Sequence, residues 1–433
     1  MNGARYPDLS IVIPVYGTGH ALDMTLRALA HTEPGPGTFE VIVVDDGSPE
    51  PLRSVVDAYQ QISASYTRLA TNSGRAAARN AGAGQARGKR LLFLDSCSFP
   101  LKGLVHGHAT FEMNDDDGRV LLGSRVEPGW GPLANAVAAG ELPRSVAIHE
   151  DDFRHLEGAE AGAINFMHRT APWMYCFTNN LSVPADAFTA INGFDEAFTE
   201  WGFEDLEFGY RFFLARHRKG GFEYRPDITS VHLPHFRSPG MTRMSSMRSI
   251  RYMKRKHPRF EIELVGTDVY PRVESKVSYY ENVLTGVRQA GLGLTAADVI
   301  RLHPEAGQRK VLWIGAGLGI GEDRWQFDHA REPTACNLHL LGVDTPFRER
   351  EFEAVINVDL WRFLAPQDLA LAIIEGLRVG QRLLLVASAQ VGYGESCLGT
   401  ADLDYLTQAY GSPHRIQTIK DDPDGKVLRV TAS

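Results

Sequence analysis

The sequence predicts an α/β protein built from two units, on three observations. Short strand-like runs alternate with helix-like segments between residues 9 and 95, and acidic residues close two of those runs. A second alternation of the same kind begins near residue 301, with a glycine-rich turn after its first strand. Strand, helix and strand at this spacing favour parallel sheets with right-handed crossovers.

Length and composition limit the classes of protein that the sequence can encode. The chain has 433 residues, 43% hydrophobic and 23% charged, which is ordinary for a globular protein of two or three domains. Its net charge of -8 argues against nucleic acid or an anionic membrane as a general partner. The four widely spaced cysteines form neither a zinc motif nor a disulfide framework.

We find no signal-peptide pattern and no apolar run of about 18–20 residues, the length that crosses a bilayer. These features predict a cytoplasmic protein without a transmembrane segment, and they leave peripheral membrane attachment open.

The strand ends of the first unit are the first candidate for a ligand site. Leu9–Tyr16, Phe39–Ser48 and Lys89–Asp95 have strand character, and Asp45, Asp46 and Asp95 fall at carboxyl ends. Ligands of parallel sheets bind at that edge. Two acids after a strand are also typical of a simple turn that caps a helix.

A glycine-bearing helix start follows in "NSGRAAARNAG", residues Asn72–Gly82. Arg75 and Arg79 lie one turn apart there, which suits a nucleotide base or a diphosphate. The alternative is a surface helix whose small residues pack on the sheet.

Five motifs in order carry a resemblance to a known family. They are "LSIVIPVYG", "EVIVVDDGS", "NSGRAAARNAG", "LLFLD" and "TNNLSVPADAFTAINGFDEAFTEWGFEDLEFGYR". Together, roughly over residues 8–240, they resemble the family 2 glycosyltransferases of the GT-A nucleotide-sugar-binding fold. The last segment is similar to galactosyltransferase and chondroitin-polymerase enzymes with a WGxED sequence. The resemblance implies inverting transfer of a sugar from a nucleotide-sugar, with UDP favoured, to a glycan, natural-product or peptide acceptor.

The resemblance also implies roles for individual residues. Donor-binding positions would be Pro14, Tyr16, Asp45, Asp46, Asn72, Gly74, Arg75, Arg79 and Asp95. Acceptor-binding positions would be Asn180, Trp201 and Gly202. Asp205, paired with Glu204, would be the general base that removes the proton of the acceptor hydroxyl. The alternative for "FEDLEFGYR" is an amphipathic helix with an acidic first turn.

The strand end "LFLDSCSFP" leaves open whether the protein binds a divalent cation. The family usually has Asp-x-Asp there for a divalent cation, and Cys97 stands where the second acid belongs. Mn²⁺ or Mg²⁺ prefers oxygen over a neutral thiol. Three alternatives remain. Asp95 holds the metal with help from His232 and His235; arginines or histidines neutralise the diphosphate without metal; or the protein binds a sugar nucleotide weakly and catalyses nothing.

The region after residue 300 resembles a shortened class I methyltransferase with a Rossmann-like fold. "VLWIGAGLG" matches the glycine loop of that family, but Gly319 and Asp344 are too close for the usual helices and strands between them. We therefore expect a structural or partner-binding domain, including self-association, and S-adenosylmethionine is not expected as a cofactor.

The domain prediction is a glycosyltransferase domain at 1–242, a basic helical linker at 243–300 and the Rossmann-like domain at 301–433. The alternative functions are a non-catalytic nucleotide-sugar-binding scaffold and a bifunctional glycosyltransferase and methyltransferase.

Overall fold

The computed structural model describes residues 7–32, 38–111, 118–128, 148–149, 164–165, 169–218, 221–233, 239–268, 270–307, 310–391, 397–409 and 414–432. The chain divides into two compact units, Met1–Ile250 and Arg251–Ser433.

Ten described strands form one sheet in the first unit. They are β1 (Leu9–Val15), β2 (Phe39–Asp45), β3 (Ala64–Arg68), β4 (Arg90–Leu94), β5 (Ser98–Pro100), β6 (Val120–Pro128), β7 (Ile148–His149), β8 (Ile164–Asn165), β9 (Asn180–Pro184) and β10 (Phe222–His232). The main order is β3-β2-β1-β4-β9-β6-β10-β5, with β7 on β6 and β8 on β10. Strands β3, β2, β1 and β4 are parallel, as the alternating pattern predicts, and β9 is antiparallel to β4.

Helices cover both faces of this sheet. The described α-helices of the first unit are Gly19–Ala30, Arg53–Asp57, Arg75–Ala83, Leu104–Ala109, Ala185–Ala190 and Glu204–Ala215, and Pro239–Lys256 crosses the boundary at residue 250. Strand β1 is buried along its whole length, which is typical of a parallel strand covered on both faces.

The small residues of helix Arg75–Ala83 have a packing reason. A Cβ added at Gly82 would lie 2.4 Å from Cγ1 of Val12 on β1. Ala78 packs with Ile42 and Val44 of β2. The helix therefore sits close on the sheet, which fixes the positions of the arginines that it carries.

The second unit has a six-stranded sheet in the order β12-β11-β13-β14-β16-β15. These strands are β11 (Val311–Gly315), β12 (Gln326–Asp328), β13 (Ala354–Val358), β14 (Leu383–Ser388), β15 (His414–Asp422) and β16 (Gly425–Ala432). Strands β12, β11, β13 and β14 are parallel, and β16 is antiparallel to β14. Its described α-helices beyond residue 256 are Phe260–Glu263, Tyr270–Ala290, Ala296–Leu302, Pro366–Val379 and Thr400–Ala409.

The sequence predicts that few elements fit between Gly319 and Asp344 of the second unit. Between Gly319 and Asp344 the described chain contains the strand Gln326–Asp328 and no helix. The segment predicted as a basic linker, 243–300, is largely helical, and from residue 251 it clusters with the second unit. Among the described helices, none combines the length and the apolar character needed to cross a bilayer.

Candidate functional site

Two adjacent carboxylates lie at the carboxyl end of β2. Asp45 is fully buried and accepts hydrogen bonds from Ser48 N at 2.8 Å and Tyr66 Oη at 2.6 Å. Burial opposes its ionisation, but these hydrogen bonds together lower the pKa of Asp45 below its usual value. Asp45 therefore stabilises the turn, and no pattern in the sequence identifies Tyr66 as its partner.

Asp46 holds the loop before helix Arg75–Ala83. Its two oxygens accept hydrogen bonds from Ser73 N at 2.7 Å and Gly74 N at 2.9 Å. Burial raises the pKa of Asp46, and the charge of Asp45 adds to that rise. Gly74 has a φ of 92°, and a Cβ there would lie 3.1 Å from the backbone of Thr199. The glycine requirement at this loop is therefore both conformational and steric.

Arg79 joins three elements of the sheet edge. Its guanidinium is 1% exposed and donates to Asp95 Oδ1 and to Glu204 Oε1, both at 3.0 Å. It also lies over the ring of Phe194, 5.5 Å from the centroid. Because its charge is buried between two carboxylates, Arg79 is a positioning residue rather than a free cation for a diphosphate.

Arg75 is the exposed cation of the same helix. Its side chain is 45% exposed, and its Nη1 lies 4.0 Å from Glu204 Oε1. The positive charges of Arg79 and Arg75 lower the pKa of Asp95, although burial acts in the other direction. Asn72, just before the helix, is also exposed.

Glu204 and Asp205 begin the helix Glu204–Ala215. Asp205 is partly exposed and accepts one hydrogen bond within the described residues, from Leu206 N at 2.9 Å. Burial, and after it the charge of Glu204, raises the pKa of Asp205 to about 7. A carboxylate that holds its proton near neutral pH is suited to exchange a proton with a substrate.

Aromatic side chains are exposed at the rim. Tyr16, directly after β1, is 48% exposed, and Trp201, three residues before the Glu204 helix, is 38% exposed. Pro14 is buried within β1. Gly202 has a φ of 97°, and Trp201 N donates to Ser245 Oγ at 2.7 Å. The chain turns sharply here, with an indole on its surface.

The structure contradicts the expectation that Asn180 binds the acceptor. Asn180 is 0% exposed, and its Nδ2 donates to the carbonyl oxygens of Ser124 and Ile228, both at 2.9 Å. Its Oδ1 lies 2.8 Å from Nε2 of His108. Burial lowers the pKa of His108 to about 3, so that ring is neutral. Asn180 therefore has no surface and no spare donor for a ligand.

The neighbouring Asn179 is different, and sequence reasoning missed it. It is 6% exposed, and neither its Nδ2 nor its Oδ1 has a hydrogen-bond partner within the described residues. The Asn-Asn pair before β9 is visible in the sequence, but nothing there says which member is satisfied by the fold.

The positions of Cys97, His232 and His235 bear on whether a divalent cation binds near Asp95. Cys97 packs against an apolar cluster that contains Phe99 and Val231. Nδ1 of His232 lies 3.0 Å from Glu127 Oε1, and His235 lies outside the described residues.

No group of three or more His, Cys, Asp or Glu side chains that could hold a metal ion occurs in the part of the chain that the structure describes. At this strand end the described residues offer the single carboxylate of Asp95, whose Oδ1 accepts a hydrogen bond from Arg79.

Two family models match this region. Residues 10–143 match the model "Glycosyl transferase family 2", and residues 161–244 match "N-terminal domain of galactosyltransferase". The two matches span the strand ends, the arginine helix and the helix of Glu204 and Asp205.

Curated relatives extend the similarity. The chain is 29% identical over 392 residues to validoxylamine A glucosyltransferase from Streptomyces hygroscopicus subsp. limoneus, covering 82% of this chain and 84% of that protein. Because the first unit ends at residue 250 of 433, this alignment must extend into the second unit. Chondroitin synthase from Pasteurella multocida (strain Pm70) is 29% identical over 243 residues, 51% of this chain and 25% of that protein.

Among solved structures, Staphylococcus aureus TarS 1-349 is 18% identical, with a TM-score of 0.42 over 62% of this chain and 69% of that chain. The mannosyltransferase PcManGT from Pyrobaculum calidifontis, in complex with GDP-Man and Mn²⁺, is 15% identical. Its TM-score is 0.44 over 70% of this chain and 81% of that chain.

Proposed function

We propose that this chain, whose residues 10–143 and 161–244 match glycosyltransferase family models, moves a hexose from a nucleotide-sugar, with a UDP-sugar favoured, to a hydroxyl of a small natural-product acceptor, with inversion. The observation that carries the proposal is the position of Arg79. Its hydrogen bonds to Asp95 and Glu204 join the donor edge of the sheet to the helix that bears Asp205.

The nucleoside end of the donor is assigned to the ends of β1 and β2. The exposed ring of Tyr16 offers a stacking surface, and Asp46 fixes the loop of Asn72 and Gly74 beside it. Arg75, exposed and only 4.0 Å from Glu204, is the cation that we assign to the diphosphate.

Asp205 is assigned as the general base. It takes the proton of the acceptor hydroxyl while the hydroxyl oxygen bonds to the anomeric carbon. The bond from that carbon to the diphosphate oxygen breaks, and the nucleoside diphosphate leaves with the electron pair. Glu204, held by Arg79 at 3.0 Å, keeps a negative charge beside Asp205 and so helps to maintain its proton affinity. The exposed Trp201 is assigned to the acceptor wall.

A divalent cation stays a separate proposal. The family resemblance implies one, but the described residues supply Asp95 without a second carboxylate, and we derive no step through a metal. Titration of UDP with and without Mn²⁺ separates the alternatives. Tighter UDP binding with Mn²⁺ would favour a cation held at Asp95, and equal binding would favour Arg75 and the histidines.

The acceptor class rests on the relative that also aligns with the second unit. That relative is named validoxylamine A glucosyltransferase, so a hydroxylated natural product and a glucosyl donor are the first choices. A polymerising activity like that named for chondroitin synthase is less favoured, because the chain covers 25% of that protein.

The test is a transfer assay with the full chain. UDP-, GDP-, ADP- and dTDP-glucose are each incubated with validoxylamine A, and with water as a control acceptor, and the glycosylated product is detected by mass spectrometry. Product from one donor with the parent, and none with Asp205→Asn, supports the proposal. Binding of a nucleoside diphosphate without transfer to any acceptor of this class would favour the scaffold alternative.

The second unit is proposed to be structural or partner-binding rather than methylating. Asp328, at the end of β12, is fully buried and accepts from Gly317 N at 2.8 Å and Leu318 N at 3.0 Å. The glycine loop that would face a cofactor thus has these amides occupied by a side chain of its own unit. Titration with S-adenosylmethionine tests this assignment, and micromolar binding would restore the bifunctional alternative.

A further inference from the structure

The amide of Asn179 is the unexplained polar group of the candidate site. Side chains that are this deeply buried nearly always have hydrogen-bond partners, and leaving them unpaired is unfavourable. Asn179 is 6% exposed and both of its amide atoms lack a partner within the described residues. A group of this kind in a functional region indicates a ligand that completes it.

The pairing of β4 with β9 brings Asn179 close to Asp95, which Arg79 joins to Glu204. Leu94, the last residue of β4, pairs with Asn180 at the start of the antiparallel strand β9. Asn179 is the turn residue directly before β9 and Asp95 directly follows β4, so the two residues are neighbours at the end of this strand pair. Asp95 is the carboxylate that Arg79 holds at 3.0 Å.

The alternation of side chains along a strand indicates on which face of the sheet Asn179 lies. Successive side chains along a strand point to opposite faces. Asn180 points toward His108, on helix Leu104–Ala109, so Asn179 is expected to point to the other face, where Arg79 and Asp95 meet. Two further buried atoms without partners belong to this cluster, Arg79 Nε and Glu204 Oε2.

The order of the strands indicates which part of the nucleotide-sugar lies near Asn179. Strand β9 is three strands away from β2, through β1 and β4, which is about 14 Å at the usual strand spacing. A nucleotide-sugar is an extended molecule with its base and its sugar at opposite ends. With the nucleoside near Asp46 and Tyr16, the sugar end falls toward β4 and β9.

The chemistry of the amide fits a hydroxyl better than a phosphate. A carboxamide offers two N–H donors and a carbonyl acceptor, and each sugar hydroxyl both donates and accepts. A diphosphate offers acceptors alone, and the exposed cation Arg75 serves it better.

We propose that Asn179 binds hydroxyl groups of the transferred sugar and so contributes to the choice of donor sugar. This inference rests on the proposed function of the first unit. It predicts that Asn179 strengthens the binding of a nucleotide-sugar but not that of the corresponding nucleoside diphosphate. It also predicts that the Asn179 amide contributes nothing to the stability of the unliganded protein.

The experiment compares two ligands by calorimetry on the full chain. UDP and UDP-glucose are used first, then GDP, ADP and dTDP with their glucose conjugates, and the pair that the parent binds is taken forward. Asn179→Ala is expected to weaken the binding of the glucose conjugate about three- to tenfold, which is the effect of one or two lost hydrogen bonds. The affinity for the nucleoside diphosphate should change less than about twofold.

Asn179→Leu supplies a second readout that a structural role would not give. It keeps the branch at Cγ and removes the unpaired amide, so the Tm of the unliganded protein should stay equal or rise. The Tm increase that the glucose conjugate produces should fall. Asn180→Ala is the matched control. It should lower the Tm, because His108 and two backbone carbonyls lose their partner, and it should leave the ratio of the two affinities unchanged.

Equal weakening of both ligands, or a lower Tm for unliganded Asn179→Leu with an unchanged affinity ratio, would overturn the assignment of Asn179 and leave the proposed function standing. A parent protein that binds none of the four pairs would overturn the proposed function, and the inference with it.

Discussion

Each unit contains a carboxyl group whose pKa is raised to about 7, Asp205 in the first and Glu263 in the second. Their surroundings differ. Glu263 is 1% exposed, and its oxygens accept hydrogen bonds from four backbone N–H groups, those of residues 341–344. Asp205 is partly exposed and, among the residues that the structure describes, accepts a hydrogen bond from Leu206 N alone. A raised pKa therefore does not identify a catalytic carboxyl group, whereas capacity left for a substrate does.

Other buried acids also differ in the hydrogen-bonding capacity that they have left. Asp328 and Asp359 of the second unit are fully buried, and each accepts hydrogen bonds from backbone N–H groups of its own unit. In the first unit Glu204 retains a buried oxygen without a partner in the described residues. Asp328 and Asp359 are occupied in ordering loops, as Asp45 and Asp46 are in the first unit, whereas Glu204 keeps a polar atom available.

The largest expected effect is on catalysis by Asp205→Asn. The amide cannot accept the proton of the acceptor hydroxyl, so kcat should fall by about 10²–10⁴-fold, the usual contribution of a general base. Donor affinity, measured by calorimetry, should change little. Transfer at the parental rate would show that Asp205 is not the general base, and the functional difference from Glu263 would then be unsupported.

Glu263→Gln should show the opposite pattern. Its amide nitrogen would face a backbone N–H that now donates to a carboxylate oxygen, so the free energy of unfolding should fall by about 1–3 kcal/mol. Urea denaturation followed by fluorescence measures the change. The transfer rate per folded molecule should remain parental, and a loss of rate without a loss of stability would contradict the structural role.

The pH dependence of transfer should follow Asp205. A general base acts when ionised, and a pKa of about 7 leaves Asp205 protonated below that pH. We therefore expect kcat/KM to rise about tenfold per pH unit below pH 7 and to level off above it. Asp205→Asn should lose this rise, and a profile that is flat between pH 5 and 8 in the parent would argue against the assignment.

Arg75→Ala should weaken nucleoside diphosphate binding by about fivefold, the size of one partly exposed ion pair. Arg301 of the second unit is a matched control, because its side chain is 64% exposed and pairs with Asp298 and Asp424. Arg301→Ala should leave the affinity unchanged. The difference should shrink in high salt, because exposed charges are screened, and equal effects of the two variants would mean that Arg75 does not meet the diphosphate.

The smallest expected effect is on stability. Because the folded protein raises the pKa of Asp205, its contribution favours the fold at low pH and is lost as the pH rises through about 7. Relative to the parent, Asp205→Asn should gain about 2–4 °C in Tm at pH 8 and little at pH 5. Calorimetric scans at both pH values measure this, and an equal shift at both would show that the Asp205 charge is not repelled in the fold.

Much of the first unit followed from local sequence. Buried β-branched runs indicate parallel strands, and the acids and glycines that follow mark their carboxyl ends, so Asp45, Asp46, Asp95 and the helix of Arg75 were placed at one edge in advance. These features depend on periodicity and turn chemistry, which neighbouring residues determine. The lack of a described helix between Gly319 and Asp344 followed in the same way, because the short distance between these residues limits what can lie there.

Tertiary structure decided which members of each motif are free. The sequence treats Asn179 and Asn180 alike. In the fold, Asn180 points toward His108 and has all its hydrogen bonds, whereas the Asn179 amide has no partner among the described residues. The sequence also treats Arg75 and Arg79 alike, although one is exposed and the other buried. Strand register and the packing of helices on the sheet bring together residues that are more than a hundred positions apart, and no local pattern encodes those contacts.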